Sequence, residues 1–257
     1  MKKYVNLFVF VFMIGACLSQ GRAQTKSAVS YKNPVVDIAM PDPTVIKAAD
    51  GYFYVYATES TRNVPIMKSK DLVEWTYCNT AFTNKTRPRF EPKAGIWAPD
   101  INYINGKYVL YYAMSVWGGE QTCGIGVATA NSPQGPFTDH GKMFRSNEIG
   151  VQNSIDPSLL QYEGRNYLVW GSFRGIYVIE LTADGLSIMP GAKKKRIAGT
   201  AFEAVYIHKY GDYYYMFASI GSCCQGVKST YKVVVGRSKK VWGPYKDKTG
   251  KPMLKNG

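Results

Sequence analysis

Histidine is scarce in this sequence. His140 and His208 are the only two, and their spacing matches no ligand pattern, so a histidine-built metal centre is not expected. A long hydrophobic run is also missing. The apolar stretch from Val5 to Ala16, behind Lys2 and Lys3, is too short to span a membrane comfortably and reads as a secretory signal peptide over residues 1–23. No helical period of 10 to 15 residues recurs between the apolar runs, which argues against a parallel α/β fold. The chain has no G-x-S-x-G, no phosphate-binding glycine run and no RNA-module motif. Nucleophile-elbow hydrolysis, nucleotide chemistry and nucleic-acid binding are therefore not expected.

The leader admits two processing routes. Gly21-Arg22-Ala23 places small residues ahead of a cut before Gln24, and Ile14-Gly15-Ala16-Cys17 resembles a lipobox that would leave Cys17 lipidated. Soluble release is preferred. Either route exports the protein, to the periplasm or the medium, or to the outer membrane as a lipoprotein. With Cys17 lost or lipidated, Cys78, Cys123, Cys223 and Cys224 remain. Their even count permits disulfides, but the spacing is no small-scaffold framework. Adjacent Cys223 and Cys224 would point to opposite sides of a strand, and read as small buried or half-buried residues.

The formal charge is +14, of which Lys2, Lys3 and Arg22 belong to the leader, leaving +11. Such a balance favours acidic surroundings. The one dense run, Lys193 to Arg196, follows Pro190-Gly191 and reads as a solvated loop.

The chain is rich in Tyr, Val, Gly and Trp, with 14% aromatic residues, a composition of strands with a sizeable core. Four segments align on glycine: D-P-T-V-I-K-A-A-D-G from Asp42, D-I-N-Y-I-N-G from Asp100, D-P-S-L-L-Q-Y-E-G from Asp156, and E-A-V-Y-I-H-K-Y-G from Glu203. Gly51, Gly106, Gly164 and Gly211 lie 55, 58 and 47 residues apart. Each glycine sits in a hairpin turn between two short strands, and a second hairpin follows in each unit. Four strands per unit of about 50 residues is the size of a β-propeller blade, so the fold class is all-β, with a propeller preferred over a β-sandwich. The polar stretch between Thr80 and Gly95 shows no strand alternation and reads as a long surface loop.

In a propeller the first strand of each blade lines the central channel, so equivalent residues converge. Asp42, Asp100, Asp156 and Glu203 then meet near one axis, where mutual repulsion separates their pKa values. Taken singly, an Asp-Pro step merely opens a turn; four carboxylates in register point to a site. Two carboxyl groups flanking a bond, one donating a proton and one activating water, are the requirement of glycoside hydrolysis. Trp97, Trp117, Trp170 and Phe173 lie close by in sequence and could stack on sugar faces or fill the core.

These residues resemble glycoside hydrolase family 43, and within it the endo-arabinanase branch, from about Asn33 onwards. The resemblance is carried by P-D-P-T-V-I at 41–46, W-A-P-D-I at 97–101, N-S-I-D-P-S at 153–158, V-W-G-S-F at 169–173 and G-S-C-C-Q-G-V-K-S-T-Y at 221–231. It implies a five-bladed propeller, as one catalytic domain over residues 31–257, that cleaves internal α-1,5-L-arabinofuranosidic bonds of arabinan with inversion. An exo-acting arabinofuranosidase or β-xylosidase, and a non-catalytic carbohydrate-binding propeller, are the alternatives.

By the same resemblance Asp42 is the general base, Glu203 the general acid, and Asp156 the residue that orients the acid and raises its pKa. Trp97, Asn153 and Ser172 are implied to contact sugar, with Trp117 and Phe173 as further aromatic candidates. Asp100 is left a structural role. Arabinan or arabino-oligosaccharides are the expected partners of a monomer, with no nucleic acid and no membrane span. The chemistry needs no cofactor, although a structural cation such as calcium accompanies the family fold. Pro41 stands where many relatives carry His. The chain stops after the fourth unit, so the expectation is a truncated arabinanase whose fifth blade is missing.

Overall fold

The computed structural model describes residues 30–255. The leader and Cys17 lie outside them. Residues 30–32 are exposed and irregular, and a compact unit begins at Asn33.

That unit is built from four antiparallel sheets in chain order. The first holds β1 (Thr44–Lys47), β2 (Phe53–Tyr56), β3 (Pro65–Ser69) and β4 (Thr76–Thr80). The second holds β5 (Gly95–Ile104), β6 (Lys107–Ser115), β7 (Gly124–Ala130) and β8 (Thr138–Arg145). The third holds β9 (Ser158–Tyr162), β10 (Arg165–Trp170), β11 (Ile176–Glu180) and β12 (Lys195–Ala198). The fourth holds β13 (Glu203–Tyr210), β14 (Tyr213–Ile220) and β15 (Lys232–Ser238). Its fourth strand is reduced to a bridge of Lys246 against Arg237. Apart from a four-residue helix (Ser146–Ile149) and two short 3₁₀ turns, the described residues contain no helix.

Four blades of a propeller result, with β1, β5, β9 and β13 innermost and each beside the next. The hairpin turns form where the glycines predict them. Asn105 and Gly106 both take positive φ (48° and 81°), the two-residue turn whose twist suits the flanking strands.

Core packing explains why several strands read as unbroken apolar runs. A middle strand in a blade is covered on both faces. In β6, Leu110, Tyr112 and Met114 pack towards the first blade with Tyr54, Tyr56, Ile66 and Phe82. The alternating Val109 and Tyr111 pack towards the third blade with Leu168, Trp170 and Ile179. Val169 and Val178 in turn meet Val205, Ile207, Met216 and Ala218 of the fourth blade. Burying each such Leu, Ile or Phe contributes about 1.5–3 kcal/mol. The outer face of the fourth sheet lacks such a neighbour among the described residues: Tyr206, Phe217, Val233 and Val235 are exposed there.

Two local expectations change. The stretch after β4 is not simply surface loop. Ala81 and Phe82 enter the core, and the buried Arg87 guanidinium pairs with Glu59 while donating to Ala94 O at 2.8 Å. Burial works against the Glu59 charge, but Arg87 and the N–H groups of Asn63 and Ile96 outweigh it and hold its carboxyl below the usual range. Cys223 and Cys224 do not lie on a strand. They occupy the loop between β14 and β15 and are joined by a disulfide, while Cys78 and Cys123 are free.

Candidate active site

Every blade opens with a residue of positive φ at the head of its innermost strand: Asp42 (50°), Ala98 (42°), Asp156 (57°) and Ala204 (50°). In β5 and β13 this residue falls within a bulge, between Trp97 and Asp100 and between Glu203 and Tyr206. A bulge swings the backbone out of the ladder and re-aims the neighbouring side chains. Non-glycine residues accept this conformation at a cost, and clusters of such strain mark functional positions.

The freed N–H groups show what the bulges do. Ala98 N–H donates to Thr58 Oγ1 at 2.7 Å, and Thr58 Oγ1–H donates to Asp42 Oδ2 at 2.6 Å. Ala204 N–H donates to the carboxylate of Asp156. Asp42 is thereby tied to the second blade and Asp156 to the fourth.

Glu203 is 9% exposed and accepts a hydrogen bond from Ser172 Oγ at 2.6 Å. Ser172 is itself buried and receives Asn153 Nδ2 at 2.9 Å. Phe173 N–H donates to Phe202 O at 3.0 Å, which locks the third blade to the residue before Glu203. Asp42, by contrast, is exposed to solvent.

The carboxylates interact electrostatically. Burial, then the charges of Glu203 and Asp42, push Asp156 well above the ordinary carboxylate range, with Ala204 N–H opposing. The group of three therefore retains a proton at a pH where isolated carboxyls are ionised, while the exposed Asp42 faces water. Tyr231, just ahead of β15, joins them: burial first, and the nearby Glu203 and Asp156, raise its hydroxyl.

Asp42, Asp156 and Glu203 thus meet as the repeat predicts, drawn from three blades. Trp97 directly precedes the bulge that holds Thr58, and its ring lies 5.7 Å from that of Trp117. Trp117 is 79% exposed, so the pair forms an open aromatic wall beside Asp42. Phe173 is half-buried next to Ser172. Trp170 is no platform: its ring is fully buried, with Nε1–H donating to Ser154 Oγ at 3.0 Å.

Asp100 departs from the register of the other three. It lies two residues past its bulge, level with Thr44 and Ser158, so its side chain enters the packed centre. There it accepts Leu159 N–H at 2.7 Å, Asn102 Nδ2 at 2.7 Å and Thr44 Oγ1 at 3.4 Å. Burial pushes its carboxyl up to about 6 despite these donors. Among the described residues no group of three or more His, Cys, Asp and Glu is placed to hold a metal ion. The structural cation implied by the resemblance for the full-length fold therefore has no such cluster among the described residues.

Sequence reasoning missed Thr58 and Tyr231. Thr58 was signalled by the small polar residue that ends the second strand of each unit; Tyr231 had no signal beyond its motif.

Residues 31–257 match the family described as glycosyl hydrolases family 43. An extracellular endo-α-(1→5)-L-arabinanase of Bacillus subtilis is 39% identical over 230 residues, which are 84% of this chain and 70% of the relative. An extracellular exo-α-(1→5)-L-arabinofuranosidase of Cellvibrio japonicus is 36% identical, over 84% of this chain and 69% of its own. The structure of a Cellvibrio cellulosa α-L-arabinanase complexed with arabinohexaose superposes with a TM-score of 0.76 at 33% identity, covering 84% of this chain and 76% of that one.

Proposed function

The chain belongs to the glycosyl hydrolases of family 43, and on that premise we propose that it hydrolyses internal α-1,5-L-arabinofuranosidic bonds of arabinan with inversion of configuration. The observation that carries this reading is the convergence of Asp42, Asp156 and Glu203 from three blades, one carboxyl solvated and another held protonated. Their meeting beside an open aromatic wall supports a sugar polymer as substrate, and the B. subtilis relative's printed activity supports arabinan.

In this mechanism Asp42 takes a proton from a water molecule, which attacks the anomeric carbon. Glu203 gives its proton to the departing glycosidic oxygen, and the carbon–oxygen bond breaks with the configuration inverted. Inversion asks for a separation of about 6.5–9.5 Å between the two groups, to admit the water. Asp156, held protonated by burial and by the charges of Glu203 and Asp42, stands beside the acid and orients it. Ser172, whose one proton is committed to Glu203, orients the acid. Asn153 fixes Ser172 through Nδ2, and Trp97, Trp117 and Phe173 flank the sugar.

The site is completed in a five-bladed ring. The exposed Tyr206, Phe217, Val233 and Val235 supply the apolar face on which a fifth sheet would seat. Both curated relatives are named extracellular, which supports export under the leader at residues 1–23. The C. japonicus relative favours a second reading, exo-acting release of arabinose from the same site.

Glu203→Gln tests the assignment. On linear arabinan it is expected to lose about 10²–10⁴ in rate with the fold intact. Activity within a few-fold of the unaltered protein would remove Glu203 from the mechanism.

A further inference from the structure

Charge is distributed very unevenly along the chain. Residues 1–192 hold 18 Lys and Arg against 15 Asp and Glu, and the excess of 3 equals the leader cations Lys2, Lys3 and Arg22. Residues 193–257 hold 14 against 3, a net of +11. The whole positive balance of the propeller therefore sits in its last quarter.

The fold gathers several of these cations on one perimeter. β12 and β15 are the outer edges of their sheets, opposite the inner strands β9 and β13. After β15 the chain turns back, with Lys246 bridged to both Arg237 and Pro252. Gly199 N–H then donates to Met253 O at 3.0 Å, which stitches this hairpin to the end of β12.

Lys195 on the β12 edge, Lys246, Lys248 and Lys251 on the hairpin, and Lys239 and Lys240 past β15 consequently lie along one perimeter as a ridge, while Lys194 turns towards Gly150 and Arg196 packs over Gly175 on the side facing the second blade. All of them are exposed, and among the described residues none stands in an ion pair. The single acid on the hairpin, Asp247, is used locally. Its carboxylate accepts Thr249 Oγ1, Thr249 N–H and Lys251 N–H at 2.7–2.9 Å.

We infer that this ridge is a docking surface for an acidic polysaccharide, a polyuronate, which holds the protein on a matrix while the inner-strand carboxylates work on neutral chains. The inference rests on the reading of the site as a polysaccharide hydrolase, in taking the anion to be another polysaccharide. Repelling cations packed along one edge are stabilised by a partner with regularly spaced negative charge. The ridge also lacks what single-stranded nucleic acid uses, a bare aromatic face. The ring beside it, Tyr213, is covered by Arg237 at 4.4 Å and Lys239 at 5.8 Å.

The test is binding of the purified protein to polygalacturonate in low salt, followed as salt is raised. Retention that weakens steadily with salt is expected, with at least about tenfold weaker binding for a Lys246→Glu, Lys248→Glu, Lys251→Glu triple variant. Its rate on short neutral arabino-oligosaccharides should match that of the unaltered protein. A Lys239→Glu, Lys240→Glu double variant should do the same, and serves if the first variant does not fold.

No binding in low salt, binding unchanged in both variants, or equal or tighter binding to single-stranded DNA or anionic lipid vesicles would overturn the inference. Binding without any arabinan hydrolysis would instead overturn the proposed activity and leave the ridge standing.

Discussion

Thr58 shows how much one hydroxyl decides at this site. It has a single proton, given to Asp42, and its lone pair is taken by Ala98 N–H. The direction of the pair is therefore fixed, and the other oxygen of Asp42 is left for water. A donor of this kind stabilises the ionised carboxylate by about 1.5–3 kcal/mol. Thr58→Val keeps the shape and removes the donor. It is expected to lower kcat by about tenfold, with KM little changed. Thr58→Ser should restore kcat, and an unchanged kcat in Thr58→Val would contradict the role. At this scale the sequence exposed the carboxylates, because a repeat places them, while it left Trp97 and Trp117 open between core and sugar platform, a choice that the exposure of Trp117 decides. It did not expose Ala204, since a positive φ on a non-glycine residue leaves no reliable mark in composition; Thr58 carried a signal, the small polar residue at that place in each unit, which went unread.

At the scale of elements, the blades are tied at two levels. Near the carboxylates the ties are the bulge N–H groups. Deeper in, Asp100 on β5 accepts from Thr44 on β1 and Leu159 on β9, and so links three blades. Its carboxyl, pushed up to about 6 by burial, binds a proton more readily in the folded protein than in the unfolded chain. The stability it contributes is complete below the usual aspartate range and is lost as pH rises through about 6. Asp100→Asn removes that titration, so the unfolding free energy of the variant should gain on the unaltered protein by about 2 kcal/mol between pH 4 and pH 7. Parallel pH profiles in denaturant titrations would contradict this.

The strands themselves were legible, since glycine turns and apolar runs mark them. The offset of Asp100 was legible as well, since it stands two residues closer to Gly106 than Asp156 does to Gly164; the bulge at Ala98-Pro99 that accompanies it was not. The vicinal disulfide was hidden too. Strand alternation forbids it, and only the loop conformation, with Cys224 at φ 66°, brings the two sulfurs together.

For the molecule as a whole, the repeat made the propeller readable and the total charge visible, but not where that charge lies. Its concentration on the outer edges of two blades follows from topology, which sends β12, β15 and the hairpin after them to the perimeter. Chemistry at the inner strands and cations at the rim divide the labour between catalysis and attachment. The central claim is that carboxylates from three blades cleave arabinan internally and by inversion. Following the first seconds of linear α-1,5-arabinan hydrolysis by NMR, with sizing of the products, tests it most directly. Short oligosaccharides whose new reducing ends appear first as the β-anomer are predicted; α-anomeric ends, or arabinose as the sole product, would contradict it.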